Sequence, residues 1–415
     1  MCAETKFITI FVVTISFCDI SMPIPREFGK SHEALKHLQP EIITNKNTKI
    51  MYEQDKRIVM TLDAGGTNFV FSAIQGCKEI ISPIGIPAVA DNLEGCLLTL
   101  VEGFEQVKKL LPEPPVAISF AFPGPADYKN GIIGDLPNFP AFRGGVALGP
   151  FLQKHFDIPV YINNDGDLFA YGEALAGALP ELNAAIKAAG GTKQYKNLLG
   201  ITFGTGFGGG VVVDGKLLTG DNNSGGNVWC CRHKDYTDKI CEEGVSVRAV
   251  KRVYGELAGV DASNLTPKDI FDIAEGTREG DAKAAAASFA KLGEIAANTM
   301  AQAVTLCDGV MVIGGGIAAA HKYIIPAMMA EFNSTIGRFS GDTFPRMEMK
   351  VYDLTDMSNI DSFVKDASVT VKVPVYGDEI VYDKEKRSAI MVSKLGASKA
   401  INLGAYTFAL AQIDA

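Results

Sequence analysis

With 415 residues, 47% of them hydrophobic and 21% charged, the chain has the composition of an ordinary globular protein and enough apolar material for two or three cores. Its 39 basic side chains against 48 acidic ones leave a formal charge of −9, which disfavours general affinity for nucleic acid or an anionic membrane. Eight scattered cysteines exclude a disulfide scaffold and fit a reduced, cytoplasmic setting.

The chain opens with an apolar run, Phe7 to Phe17 (FITIFVVTISF), much shorter than the ~20 residues that span a bilayer. Glu4 offsets Lys6, and Ser16-Phe17-Cys18-Asp19 lacks a small-residue cleavage pattern, so a signal peptide is disfavoured. Translation from Met22 or Met51 is a competing explanation of this leader. Residues 1–55 are expected to be a partly disordered extension with one short helix at Ser31–Leu38.

The first patterned stretch is Thr61 to Gly76, read as strand, glycine turn and strand. Its Gly-Gly turn leaves backbone N–H groups bare for a phosphate. Asp63, at the mouth of that turn, would repel phosphate unless a cation such as nucleotide-bound Mg²⁺ stood between them. Helical spacing follows from Asp91 to Leu111, and Pro112 to Pro115 stop it. Val116 to Phe122 reads as a buried strand running into Pro123-Gly124. A turn-rich loop covers Gly131 to Phe142, a short helix Phe151 to His155, and a strand Val160 to Ile162. Strand, helix, strand and loop in this order predict α/β organisation with ligand loops at strand ends.

Asn163-Asn164-Asp165 closes that strand and opens a helix over Leu168–Leu179, followed by a helical segment, Pro180 to Lys196, broken at its Gly-Gly. The opening pattern then recurs: a strand over Asn197–Phe203, a glycine turn over Gly204–Gly210 and a strand over Val211–Val213. Two strand–glycine–strand units predict an internally duplicated nucleotide-binding fold. Helices are expected at Val245–Ala258 and Ala282–Ala303, and a strand at Gly309–Ile313 ending in Gly314-Gly315-Gly316. Mixed strand and loop fill 341–394 before a closing helix, Leu395 to Leu410.

Asp63-x-Gly65-Gly66-Thr67-Asn68, Pro123-Gly124 with Leu136-Pro137-Asn138, Asn164-Asp165, the Gly204-Thr205-Gly206 turn and Gly314 to Gly316 come in one order. In that order the chain, from about Arg57 onward, resembles the ROK sugar kinases of the hexokinase and actin-like ATPase superfamily. The resemblance implies a two-domain α/β fold of the ribonuclease H-like type, with its phosphate loops duplicated and a cleft between the domains. The expected division is 56–165 with 395–415 for the smaller domain and 166–394 for the larger. It also implies ATP and Mg²⁺ as cofactors and a small sugar, a hexose or N-acetylhexosamine, as substrate. Asp63 would face the Mg²⁺ of ATP, while Gly65, Gly66, Thr67, Gly204, Thr205 and Gly206 meet phosphate and Gly314, Gly315 and Gly316 the adenosine. Gly124, Asn138 and Asn164 would line the sugar site, with Asp165 as catalytic base. Read from the residues alone, Asn164-Asp165 is also a good helix N-cap. No nucleic-acid or membrane partner is expected, and a homodimer is allowed.

The chain departs from the family in one segment. Asn227 stands where a sugar-binding Glu is usual, and Cys230 where a His is. Asn donates as well as accepts, so the same sugar hydroxyls can be bonded with altered polarity. Cys230, Cys231, His233 and Cys241 lack the family's zinc spacing, and no structural zinc is expected. Either Glu242 or Glu243 matches a further sugar-binding Glu; the spacing to Ser246 selects the first and the spacing to Cys241 the second. Two competing readings are a sugar-sensing transcriptional regulator of the same family and a sugar-binding protein without catalysis.

Overall fold

The computed structural model describes residues 50–65, 68–89, 91–135 and 140–415. The expectations for the leader and the extension, and those for Gly66, Thr67 and Asn138, lie outside the described residues.

The first half is built on a hairpin, β1 (Val59–Ala64) and β2 (Asn68–Gln75), paired antiparallel from Val59↔Ile74 to Ala64↔Phe69. Short strands β3 (Lys78–Glu79) and β4 (Ile84–Pro87) both add to β2. Helix α1 (Leu93–Leu110) starts where the Asn92 side chain accepts from the Gly95 amide. It buries Cys96, Leu100, Phe104 and Val107, a stripe at helical spacing. The Phe71 ring lies on that stripe, edge-on to Phe104 at 5.1 Å and directly over Gly103, where a Cβ would come within 2.2 Å of it. Strand β5 (Ala117–Ala121) runs parallel to β1. A small hairpin of β6 (Ala126–Asp127) and β7 (Ile132–Ile133) and helix α2 (Leu148–Phe156) then lead to β8 (Val160–Asn163), parallel to β5. The sheet order is β3-β2-β1-β5-β8, with β4 beside β2.

Helix α3 (Asp165–Leu175) carries the chain into the second half, followed by α4 (Ala178–Ala188). Strands β9 (Leu198–Phe203) and β10 (Phe207–Val213) repeat the antiparallel glycine-turn hairpin, and β11 (Lys216–Leu217) extends it. Helices α5 (Val247–Ala258), α6 (Pro267–Ala274) and α7 (Ala282–Cys307) precede β12 (Val310–Gly314), parallel to β9. Helix α8 (His321–Phe332), a hairpin of β13 (Thr335–Gly337) and β14 (Thr343–Pro345), β15 (Lys350–Asp353) and α9 (Ile360–Val364) follow. A second hairpin, β16 (Ser368–Lys372) with β17 (Glu379–Asp383), leads into β18 (Arg387–Val392) and the closing helix α10 (Ala397–Ile413). The order of this sheet is β11-β10-β9-β12-β18-β15, and like the first it has six strands. Each sheet thus sets a glycine-turn hairpin beside parallel strands, which is the duplication the two glycine motifs predict.

Three expectations are corrected. The second glycine turn is not Gly204–Gly210; it is the three residues Gly204–Gly206, since Phe207 already pairs with Phe203. The helix expected over Pro180–Lys196 ends at Ala188, with Gly190 left-handed at φ +82°. Helices α6 and α8 were not anticipated.

Helices α3 and α10 cross backbone to backbone. A Cβ on Gly404 would sit 1.9 Å from the Leu168 carbonyl oxygen, and one on Gly172 2.0 Å from that of Ala400. From this crossing α10 also reaches the first sheet, where the Gly76 amide donates to the Tyr406 hydroxyl at 2.9 Å.

Candidate active site

The chemistry-bearing residues sit where strands stop. Asp63 is half-buried near the end of β1, and the missing Cβ of Gly65 lets the chain turn back with the Asn68 carbonyl oxygen only 2.9 Å from that position. Asn164 and Asp165 follow β8 directly. Asn164 is in fact the N-cap of α3, its side chain accepting from the Gly166 amide at 2.9 Å. That cap turns the chain so that Asp165 stands on the first turn of the helix, where the positive end of the helix dipole favours a carboxylate.

Asp165 has an exposed side chain. Even so, protein crowds it enough for desolvation to raise its pKa above the usual carboxylate range, with the nearby Asp63 charge acting in the same direction. Water reaches this carboxylate but neighbouring protein restricts its hydration, and that exposure moderates the rise. The Gly166 amide also donates to Asp165 Oδ1 at 2.8 Å and fixes its orientation. Two carboxylates that repel each other across a site suit a bound divalent cation.

A run of glycines docks α3 against the second sheet. In β10, alternate residues face opposite ways. A Cβ on Gly210 would meet the Gly166 carbonyl oxygen at 2.6 Å, and one on Gly209 the Gly226 carbonyl oxygen at 2.7 Å. Asp165 and the Asn227 segment are thereby seated on opposite faces of one strand. The sequence carried this signal as Gly208-Gly209-Gly210, which reads as close backbone approach once the residues are placed inside a strand.

In the second glycine turn, Thr205 is exposed at the tip, and a Cβ on Gly204 would point into open space. Gly316 is likewise open. Gly314 and Gly315 are glycine for packing, because their Cβ positions fall against the Phe169 ring and the Phe203 backbone. The Gly204 amide is spent within the turn, donating to the Gly206 carbonyl at 3.1 Å, which leaves the exposed tip at Thr205 and an open shelf at Gly316 to take a phosphate chain and an attached flat group.

Glu242 and Glu243, which the spacing leaves equivalent, differ in the structure. Glu242 Oε2 accepts from the Phe207 amide at 3.0 Å, just beyond the second glycine turn, while Glu243 reaches only toward Arg248 and Arg252. Tyr128, which sequence reasoning missed, donates to the Phe122 carbonyl at 3.0 Å, stands beside Asn164 and lies 3.0 Å from a Cβ position on Gly124. Its only sequence signal was a place in the loop after Pro123-Gly124. Cys230 and Cys231 are exposed, Cys241 is buried against Thr299, and His233 Nδ1 accepts from the Asp235 amide. Among the described residues no three His, Cys, Asp or Glu side chains gather as a metal site. Nor is any described helix long and apolar enough to cross a membrane.

Asp167, one step along α3, is buried with Oδ1 lacking any hydrogen-bond partner. Desolvation, with the charge of Asp165 adding to it, pushes its pKa up to about 8. The folded state therefore holds this proton between the ordinary carboxylate pKa and about 8, whereas the unfolded chain releases it. Stability from this group falls as pH rises through that window. Asp167→Asn is expected to raise Tm, by an increment that grows from pH 5 to pH 8 and then levels off. A thermal melt series would refute this with an increment that stayed flat with pH.

The ROK family profile matches residues 59–351. A crystal structure of glucokinase from Parabacteroides distasonis superposes with a TM-score of 0.79 at 58% identity, covering 87% of this chain and 99% of that one. The glucokinase of Thermotoga maritima is 30% identical over 165 residues, 40% of this chain and 47% of that enzyme, so the match spans about half the relative's length. The N-acetyl-D-glucosamine kinase of Vibrio parahaemolyticus is 28% identical over 280 residues, 62% of this chain and 83% of that enzyme.

Proposed function

Because the chain belongs to the ROK family, we propose that it is a kinase that uses Mg²⁺–ATP to phosphorylate a hexose or N-acetylhexosamine. The observation that carries this reading is Asp165: an exposed carboxylate directly after β8, fixed by a backbone amide and within electrostatic reach of Asp63.

Bound Mg²⁺–ATP supplies the phosphoryl group and neutralises charge on it; the chain's own groups position and deprotonate the acceptor. Asp165 takes the proton of the sugar hydroxyl as the oxygen attacks. Asn164, with Gly124 and Asn138, holds neighbouring hydroxyls, and Tyr128 braces the Gly124 loop. Asp63 would hold the cation, and the turns at Gly65–Thr67 and Gly204–Gly206 the phosphates. Gly316 would lie under the adenosine, with Gly314 and Gly315 shaping that shelf. Of the two glutamates Glu242 is assigned to the sugar, with Asn227 beside it.

Asn227 in place of a carboxylate leaves a donor as well as an acceptor toward the sugar, which is compatible with either a free or an N-acetylated hexose. The domain division at 56–165 with 395–415 against 166–394 belongs to this proposal, and the docking of α3 on β10 supports putting α3 with the larger domain. A cytoplasmic setting, where ATP is supplied, and the absence of a nucleic-acid partner belong to the proposal too, and it allows a homodimer.

The test is ADP release with Mg²⁺–ATP across glucose, mannose, fructose, allose, N-acetylglucosamine and N-acetylmannosamine. Sugar-dependent release is expected for at least one of them. Thermal stabilisation by a sugar with no release from any would turn the assignment to a sensor.

A further inference from the structure

The segment Glu242–Arg248 grips the second phosphate turn from two sides. The Val247 amide, the first of α5, donates to the Gly204 carbonyl at 3.0 Å. The Phe207 amide, at the other end of the turn, donates to Glu242 Oε2 at 3.0 Å. The same oxygen lies 2.4 Å from where a Cβ on Gly206 would be, so no other residue could stand at that position without moving the carboxylate. The turn and this segment therefore move together.

Arg248 completes the grip and breaks a local rule in doing so. It occupies the first turn of α5, which contains no acidic residue, and a cation at a helix N-terminus opposes the helix dipole. What holds it there is a pair of carboxylates. One of its terminal nitrogens donates to Glu242 Oε1 at 2.9 Å and Glu243 Oε1 at 2.7 Å, while Nε donates to Glu243 at 2.9 Å. Local choices that conflict with their element are most often found where function requires them. Here the electrostatics supply the requirement. An uncompensated Glu242 carboxylate beside the turn would repel the phosphates the turn is shaped to hold, and Arg248 offsets that charge.

We infer that Arg248, acting through Glu242, is a positioning residue that couples sugar binding to the second phosphate turn. The inference rests on the sugar-kinase reading in assigning Glu242 to the sugar. A sugar hydroxyl that engages Glu242 biases a carboxylate already bonded to the Phe207 amide, so the sugar and nucleotide sites sense each other through one side chain. By linkage the effect is reciprocal: whatever factor the sugar adds to nucleotide affinity, the nucleotide adds to sugar affinity.

Calorimetry with the non-hydrolysable analogue Mg²⁺–AMPPNP, with and without saturating glucose or N-acetylglucosamine, measures this coupling in the full-length chain. The wild type is expected to bind AMPPNP about ten-fold tighter in the presence of the sugar it phosphorylates. Arg248→Ala should reduce that factor to within two-fold, Arg248→Lys should restore part of it, and Glu243→Ala should leave most of it. A purely structural role would lower Tm and both affinities together while keeping their coupling. Coupling retained in Arg248→Ala, or absent in the wild type, overturns the inference. Sugar-dependent ADP release by the wild type separates that failure from failure of the kinase assignment itself.

Discussion

Asp165→Asn is expected to lower turnover by about 10²–10⁴-fold, the usual cost of removing a positioned general base, while sugar affinity stays within a few-fold of wild type. The amide keeps the shape of the carboxylate and can still accept from the Gly166 amide, so the N-cap turn at Asn164 and the start of α3 are preserved. What is lost is the ability to take a proton. The pH dependence adds a second signature. A base works only when ionised, and Asp165 is pushed above the ordinary carboxylate range by desolvation and then by Asp63. In the wild type kcat/KM should therefore fall on the acid side through a pKa higher than that of a free aspartate, and the residual activity of the variant should lack that limb. Calorimetric sugar binding alongside steady-state rates over pH 4 to 9 would decide the matter. Near-wild-type turnover would remove Asp165 from its role.

Gly404→Ala is expected to destabilise the protein severely although it adds one methyl group. The new carbon would lie 1.9 Å from the Leu168 carbonyl oxygen, and the atom in the way is backbone, which cannot rotate aside. Relief requires α10 to move off α3. Overpacking a rigid contact costs ~1–3 kcal/mol or more, so a Tm loss of about 1–4 °C or more is expected for a protein of this size. Because Asp165 opens α3, the rate at a permissive temperature should fall as well. Gly85→Ala, on β4 with nothing near its Cβ position, is the control and should leave Tm within about 1 °C. Equal melting temperatures for the two variants would show that the crossing is not the rigid contact described above.

Most of the fold could be read from the sequence because its signals were local. Two strand–glycine–strand units announced both hairpins, and apolar runs such as Val116–Phe122 announced the parallel strands beside them. The misses have physical causes. Helix α8 has apolar residues around much of its circumference and Pro326 inside it, so no amphipathic period marks it. Helix α6 does carry a legible start, the Thr266–Asp269 capping box with Pro267. Gly208–Gly210 was taken as turn because glycine is ambiguous: only the pairing of Phe207 with Phe203 reveals a strand whose missing side chains make room for α3 and for Gly226. At the strand ends, the motifs marked where Asp63, Asn164 and Asp165 fall in the fold. Arg248, Tyr128 and the choice between Glu242 and Glu243 were not legible, since each depends on contacts that spacing does not encode.

The path of α10 also bears on how the molecule is made. Of the described elements it leaves the ribosome last, yet it supplies the Tyr406 hydroxyl that receives the Gly76 amide, 330 positions earlier. Asp414 likewise pairs with Arg57 at 2.6 Å. The earlier-synthesised sheet therefore waits, with the face that Tyr406 and Leu410 later cover still bare, until α10 has emerged. A nascent chain stalled before residue 397 would present that face to chaperones and proteases, so α10 serves as its seal.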